Sequence, residues 1–86
     1  MDYKVGYFAT SKAGHDKGKH YIISAVDDQY VYLVNGVTKT LDTSKKKKKI
    51  HVQVKCSIDQ AIEEKLRNNS KITNDDIKEA LARHPW

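Results

Sequence analysis

The chain of 86 residues holds 38% hydrophobic and 31% charged side chains, which supplies one modest core and excludes a second. Its net charge of +5 is uneven, because the first 55 residues carry 11 lysines against five aspartates and the remainder carries five basic against six acidic side chains. A basic body with a near-neutral tail is typical of a module that binds a polyanion: nucleic acid, an acidic membrane surface or an acidic protein.

The first half alternates short strands with turns. We predict strands over residues 5–10, 19–26 and 29–34, where β-branched and aromatic side chains are concentrated. Asn35 and Gly36 favour a type I′ hairpin, whose returning strand we predict at residues 37–41. A fifth, half-buried strand is predicted where Ile50, Val52 and Val54 alternate with polar residues.

These strands predict the fold class of residues 1–55. Five short antiparallel strands, with turns about every 8 to 12 residues, indicate a mainly β fold that closes into a small barrel or a sandwich. In the third strand, Val31 and Leu33 fall on one face and Tyr30 and Tyr32 on the other, so we expect a core face and an aromatic face.

From residue 56 the hydrophobic period changes to that of helices. Ser57 and Gln60 fit the capping box of a first helix, which should end at Asn68. Thr73 and Asp76 fit the capping box of a second helix.

Two helices of about ten residues are marginal alone in water, so they must pack on each other or on the barrel. We therefore predict that residues 56–86 form a two-helix appendage packed on the barrel. The apolar stripe of its second helix comprises Ile77, Ala80 and Leu81, and Trp86 is interpreted as a frayed end or a packing anchor.

Residues 11–19 form a basic loop with two glycines. Glycine lets the backbone approach a ligand closely, and lysine neutralises phosphate. A solvated hairpin loop whose glycines only permit a turn is the alternative interpretation. The candidate binding residues in and beside this loop are Lys12, Gly14, His15, Lys17, Gly18, Lys19 and His20.

A second basic segment is an uninterrupted lysine run followed by a histidine. Its candidate binding residues are Lys45, Lys46, Lys47, Lys48, Lys49 and His51. Like-charged runs are otherwise typical of solvated, self-repelling loops, or of nuclear targeting in a eukaryotic chain.

Residues 11–19, followed by the apolar strand Tyr21-Ile22-Ile23 and then by residues 27–36, resemble the KOW motif in its ribosomal form. Nearly the whole chain resembles a group of short bacterial KOW-domain RNA-binding proteins, related to large-subunit ribosomal proteins of eukaryotes and archaea. In that group a lysine run and a helical tail follow the motif, as residues 45–49 and 72–81 do here.

The resemblance implies an SH3-like barrel and a structured RNA ligand, with ribosomal RNA foremost and ribosomal proteins as further partners. It places Gly14 and Gly18 in the motif's loop, with Lys12, Lys17 and Lys19 as their basic neighbours. The expected role is that of a ribosomal protein or a ribosome-associated factor. The alternative is a protein-interaction module, whose barrel or helical tail docks a partner in the transcription or translation machinery.

We hypothesise that the two basic segments converge on one edge of the barrel and straddle an RNA backbone. If about six lysines neutralise phosphates, log K should fall with log[salt] at a slope of roughly −4 to −5. Tyr21, Tyr30 and Tyr32 are candidates for stacking on unpaired bases, although strand tyrosines also commonly cover the edge of a core.

No pattern indicates catalysis, so we expect neither an enzyme nor a cofactor, a metal or a small-molecule substrate. His15 and His20 lack the spacing of a zinc site, and the lone Cys56 cannot form an intramolecular disulfide; we interpret it as a small apolar core filler. No signal-peptide pattern or membrane-length apolar stretch is present, which predicts a cytoplasmic protein that does not enter a membrane.

Overall fold

The computed structural model describes residues 2–84. They form one antiparallel sheet of five strands, followed by two C-terminal helices. Trp86 lies outside the described residues. The sheet has the order β4-β3-β2-β1-β5. The strands are β1 (Tyr7–Ser11), β2 (His20–Val26), β3 (Tyr30–Val34), β4 (Lys45–Lys48) and β5 (Val52–Ile58), and the helices are α1 (Gln60–Arg67) and α2 (Asn74–Arg83).

The sheet is strongly curled. Its two outer strands, β4 and β5, are joined only by a 3₁₀ turn, Lys49–His51. In a flat sheet these strands would lie about 19 Å apart, whereas the chain from Lys48 to Val52 spans at most about 15 Å. The edges therefore approach each other, but they do not pair, so closure into a barrel is not confirmed.

The predicted hairpin after β3 is wrong. Gly36 has a positive φ of 82° but Asn35 does not, so the type I′ turn does not form. Instead, Asn35 Oδ1 accepts hydrogen bonds from the backbone N–H groups of Val37 and Lys39, which holds these residues in a loop. The next strand of the chain, β4, pairs with β3 on the side opposite β2, and it consists of lysines.

Both faces of the sheet are buried, because neighbouring residues of a strand point to opposite sides. The inner core comprises Ala9, Tyr21, Ile23, Val31, Leu33, Val52 and Val54. The outer core joins the sheet to the helices and comprises Phe8, Ile22, Val34, Ile62, Ile77 and Ala80. The helical tail thus packs on the sheet.

Helix α2 begins with the predicted capping box of Thr73 and Asp76. The prediction for α1 is wrong by two residues, because β5 continues to Ile58 and Asp59 is the N-cap. The side chain of Asp59 accepts hydrogen bonds from the N–H groups of Ala61 and Ile62.

Asp59 also ties the two helices together. Its buried carboxylate receives two hydrogen bonds from Arg83, at 2.9 and 3.1 Å, and lies 2.9 Å from His84 Nε2. The hydrogen bond from Arg83 is the main reason that the pKa of Asp59 falls to about 2; burial opposes the shift, while His84 and the N–H of Ile62 add to it.

Cys56 is exposed on β5, so its interpretation as a core filler is wrong. The register between β1 and β5 shifts between Tyr7 and Phe8, which pair with Ile58 and Lys55 respectively. This irregularity interrupts the inward alternation that buries Val52 and Val54. No helix among residues 2–84 has both the length and the apolar character to cross a membrane.

Candidate nucleic-acid interface

The basic loop between β1 and β2 is built around a buried carboxylate. Asp16, only 7% exposed, accepts hydrogen bonds from Ser11 Oγ at 2.9 Å, Tyr21 OH at 3.0 Å and Lys47 Nζ at 2.8 Å. These partners come from β1, β2 and β4, so one side chain fixes the loop to three strands.

The electrostatics of this cluster favour an ionised Asp16. Burial acts to raise the pKa of Asp16, but the hydrogen bonds from Lys47, Ser11 and Tyr21 outweigh it and hold the pKa at about 2. Burial and the neighbouring Asp16 carboxylate raise the pKa of Tyr21 to about 12. At neutral pH the cluster is therefore a charged ion pair with a phenol donor.

Lys47 joins the two basic segments. Its ammonium donates to the carbonyl of Ala13 and to Asp16, both at 2.8 Å, and only 11% of its side chain is exposed. The two basic segments are therefore in contact. Because its ammonium is bound to Ala13 and Asp16, Lys47 is not available to RNA, although it was a candidate binding residue. The structure thus gives Lys47 a positioning role.

The backbone of the loop is fixed by its own hydrogen bonds. Ser11 N–H donates to Lys19 O and Gly18 N–H to Ser11 O, which closes the base of the loop. Gly14 and Gly18 have φ values of 87° and 88°, in the region that favours glycine. The backbone conformation at these two positions therefore favours glycine over other residues.

The exposed charges of the loop point to solvent. Lys12, Lys17 and Lys19 are exposed, and their ammonium groups have no protein partner within residues 2–84. The backbone N–H groups of Gly14 and His15 also donate to no acceptor in that part of the chain. Such donors beside free ammonium groups are suited to phosphate oxygens.

Two further candidate binding residues, His20 and His51, flank this surface. His20 Nδ1 lies 2.9 Å from Thr10 Oγ1, and burial lowers the pKa of His20, which favours a neutral ring. His51 is exposed at the end of the 3₁₀ turn, where its carbonyl accepts a 2.8 Å hydrogen bond from Lys12 N–H. The turn therefore lies directly beside the basic loop.

The lysine run is an edge strand rather than the solvated loop considered for it. Lys45 and Lys47 pair with the core residues Leu33 and Val31, whereas Lys46 and Lys48 pair with Tyr32 and Tyr30. Alternation thus places Lys45 on the same strand face as Lys47, toward the basic loop. A row of lysines on an edge strand also opposes pairing with other chains.

Two further lysines of the run have protein contacts. Lys46 Nζ lies 4.3 Å from the centre of the Tyr30 ring. Lys49 Nζ donates to the carbonyl of Asp28 at 3.1 Å and lies 5.3 Å from the centre of the Tyr3 ring. Lys45 and Lys48 alone in the run have ammonium groups without a protein partner within residues 2–84.

The tyrosines give little support to base stacking. Tyr21 is 2% exposed in the inner core, so its ring is closed to a base and that prediction is wrong. Tyr30 and Tyr32 are half-buried; Lys46 covers Tyr30, and the hydroxyl of Tyr32 donates to Asp27 at 3.1 Å.

Sequence reasoning missed Asp16 and Ile50. Asp16 is the single acidic residue of the basic loop, a signal that indicated a partner lysine without identifying it. Ile50 is 71% exposed in the 3₁₀ turn between the lysines and His51, although the alternation of apolar and polar residues predicts a half-buried strand there.

No family model matches the chain, and a search of the curated proteins finds no match.

Proposed function

We propose that the protein binds structured RNA, with ribosomal RNA as the first candidate, as a ribosomal protein or a ribosome-associated factor. The observation that carries this proposal is the Lys47–Asp16 pair, which holds a preformed loop against β4 with Lys12, Lys17 and Lys19 exposed. A rigid loop loses little conformational entropy when it binds, so its exposed lysines are suited to positioned phosphate contacts.

The proposed fold is the SH3-like barrel that the KOW resemblance implies. The curled, five-stranded antiparallel sheet supports it, because a short turn brings its outer strands toward each other. The glycines of the motif's loop, Gly14 and Gly18, support it as well, because both adopt a conformation that favours glycine. The proposal includes complete closure of the sheet into a barrel.

The proposed interface comprises the exposed lysines of the basic loop together with Lys45 and Lys48 of the edge strand. Contacts from these ammonium groups and from the N–H groups of Gly14 and His15 would go to phosphate oxygens, which position a protein without reading sequence. We therefore propose recognition of RNA mainly by the shape of its backbone.

The alternative function, in which the helical tail docks a protein partner, would need an exposed apolar face on α2. Ile77 is 2% exposed in the outer core, and Leu81 packs against the same core. The apolar stripe of α2 is therefore covered by the sheet and does not offer a free surface to a partner.

Crosslinking in cells, followed by sequencing of the bound RNA, tests the proposal. We expect crosslinks to recur at defined structured sites and to fall at least severalfold when Lys12, Lys17 and Lys19 are all replaced by Gln. A matched variant replaces Lys4, Lys71 and Lys78, which are also exposed but lie outside the two basic segments. Equal crosslinking of the two variants, or no RNA with the wild-type protein, would overturn the proposal.

A further inference from the structure

The 3₁₀ turn has a concave surface where it meets the N-terminal segment and the β2–β3 turn. A cavity there is lined by Tyr3, Asp28, Gln29, Lys48, Lys49 and Ile50. Its apolar walls are the ring of Tyr3 and the side chain of Ile50, which is the most exposed large apolar residue among those described. The lining of the cavity therefore combines apolar walls with two lysines.

The walls of this cavity are held in place. Tyr3 OH donates to the carbonyl of Lys49 at 3.1 Å, and Lys49 N–H donates to the carbonyl of Gln29 at 2.9 Å. Lys49 Nζ reaches the carbonyl of Asp28 at 3.1 Å. The N-terminal segment, the β2–β3 turn and the 3₁₀ turn are thus joined around the cavity.

Polar groups in the cavity remain available to a ligand. The side-chain amide of Gln29 and the carboxylate of Asp28 make no hydrogen bond or ion pair within residues 2–84. An amide with both donor and acceptor atoms can pair with the edge of a nucleobase. Lys48, whose ammonium is also without a partner there, belongs to the lining of the cavity.

The cavity is continuous with the proposed RNA interface. Ile50 precedes His51, whose carbonyl accepts a hydrogen bond from Lys12 N–H of the basic loop. A strand whose phosphates contact Lys12 could therefore extend over the turn toward the cavity.

We propose that this cavity binds one unpaired nucleobase of the RNA, with Ile50 and Tyr3 against the base and Gln29 at its edge. The free ammonium of Lys48 favours a nucleotide over an apolar protein side chain, because the phosphates of a nucleotide carry the complementary charge. The proposal rests on the proposed function and adds to it the class of RNA feature recognised: a bulged or looped-out nucleotide beside a duplex.

The test compares a fully paired RNA hairpin with the same hairpin carrying a single-nucleotide bulge, by fluorescence anisotropy at fixed salt. We expect the wild-type protein to bind the bulged RNA about tenfold more tightly, since one base–side-chain contact is worth about one decade in affinity. Ile50→Ser should remove this preference and leave affinity for the paired hairpin within about twofold. Val37→Ser, which changes another highly exposed apolar residue outside the lining of the cavity, should retain the preference.

The failures of the two proposals are distinguishable. Equal, salt-dependent binding of both RNAs by the wild-type protein would overturn the base cavity and leave the RNA-binding proposal standing. An equal loss of affinity for both RNAs in Ile50→Ser would also overturn the cavity, since Ile50 would then contact the RNA backbone. Binding of neither RNA by the wild-type protein would overturn the proposed function itself.

Discussion

Lys47 Nζ lies 2.8 Å from Asp16 Oδ1, and this nearly buried ion pair joins the edge strand β4 to the basic loop. The two residues are 31 positions apart in the chain. Ser11 and Tyr21 donate to the same carboxylate, so every oxygen of Asp16 has a partner. The pair therefore organises the candidate interface without belonging to its exposed surface.

Removing the cation of this pair should destabilise the fold. Lys47→Met leaves a buried carboxylate without its counter-charge, which we expect to cost about 2 to 4 kcal/mol in the free energy of unfolding. Lys48→Met, an exposed neighbour on the same strand, should change it by less than about 0.5 kcal/mol. Urea denaturation at neutral pH measures both, and the double variant Asp16→Asn, Lys47→Met should recover part of the loss. Equal unfolding midpoints for the two single variants would contradict the positioning role of Lys47.

Stability should fall at acid pH through Asp16 and Asp59. Each has a pKa of about 2 in the folded protein against 3.8 in the unfolded chain. Because the folded-state pKa is the lower one, the contribution is complete above about pH 5, declines as the pH falls through 3.8 toward 2, and is absent below that; each group accounts for about 2 kcal/mol. Urea denaturation across this range measures the decline, and Asp16→Asn should make it shallower. A pH dependence unchanged by Asp16→Asn would contradict the assignment.

Two glycines with nearly the same backbone conformation should respond differently to alanine. Gly18 has a φ of 88° and open space where a Cβ would lie, so Gly18→Ala should cost only the backbone strain, about 1 to 2 kcal/mol. Gly36 has a φ of 82°, but a Cβ there would lie 2.4 Å from the backbone oxygen of Asn74, so Gly36→Ala should cost at least about 3 kcal/mol. Thermal or urea unfolding of the two variants gives the comparison. Equal losses would contradict the close approach of the β3–β4 loop to α2.

Lysines with and without protein contacts should differ in their effect on RNA affinity. Lys17 has no protein partner within residues 2–84, so Lys17→Gln should weaken binding about fivefold at about 0.1 M salt. Lys46 lies over Tyr30 and near Asp27, so Lys46→Gln should weaken it less than about twofold. Anisotropy titrations with one structured RNA measure both effects. A larger effect at Lys46 than at Lys17 would contradict an interface centred on the basic loop.

The elements that the sequence predicts well are those with a strong local pattern. The Thr73 capping box and the apolar strands around Ile22 and Val31 follow from short-range chemistry. Strand β4 has no such pattern: its lysines form a strand because β3 offers an unpaired edge, a long-range cause. Asn35 and Gly36 carry a strong hairpin signal that fails, because the side chain of Asn35 organises a longer loop.

The sequence predicts which segments carry the candidate site, but not which of their lysines are exposed and which one is buried. The composition of the basic loop identified Lys12, Lys17 and Lys19 as a group. Which lysine would be buried depended on the register of β4 against β3, where Lys47 lies opposite Val31 on the inward side. No local pattern among five identical residues distinguishes that position.

The salt dependence of RNA binding tests the central claim most directly. Five lysines of the two basic segments have free ammonium groups within residues 2–84: Lys12, Lys17, Lys19, Lys45 and Lys48. If all five neutralise phosphates, log K should fall with log[salt] at a slope of about −3.5 to −4.5. Replacing Lys12, Lys17 and Lys19 by Gln should reduce the magnitude of this slope by about 2 to 3. A flat salt dependence for the wild-type protein, or an unchanged slope for the triple variant, would contradict RNA binding through this loop.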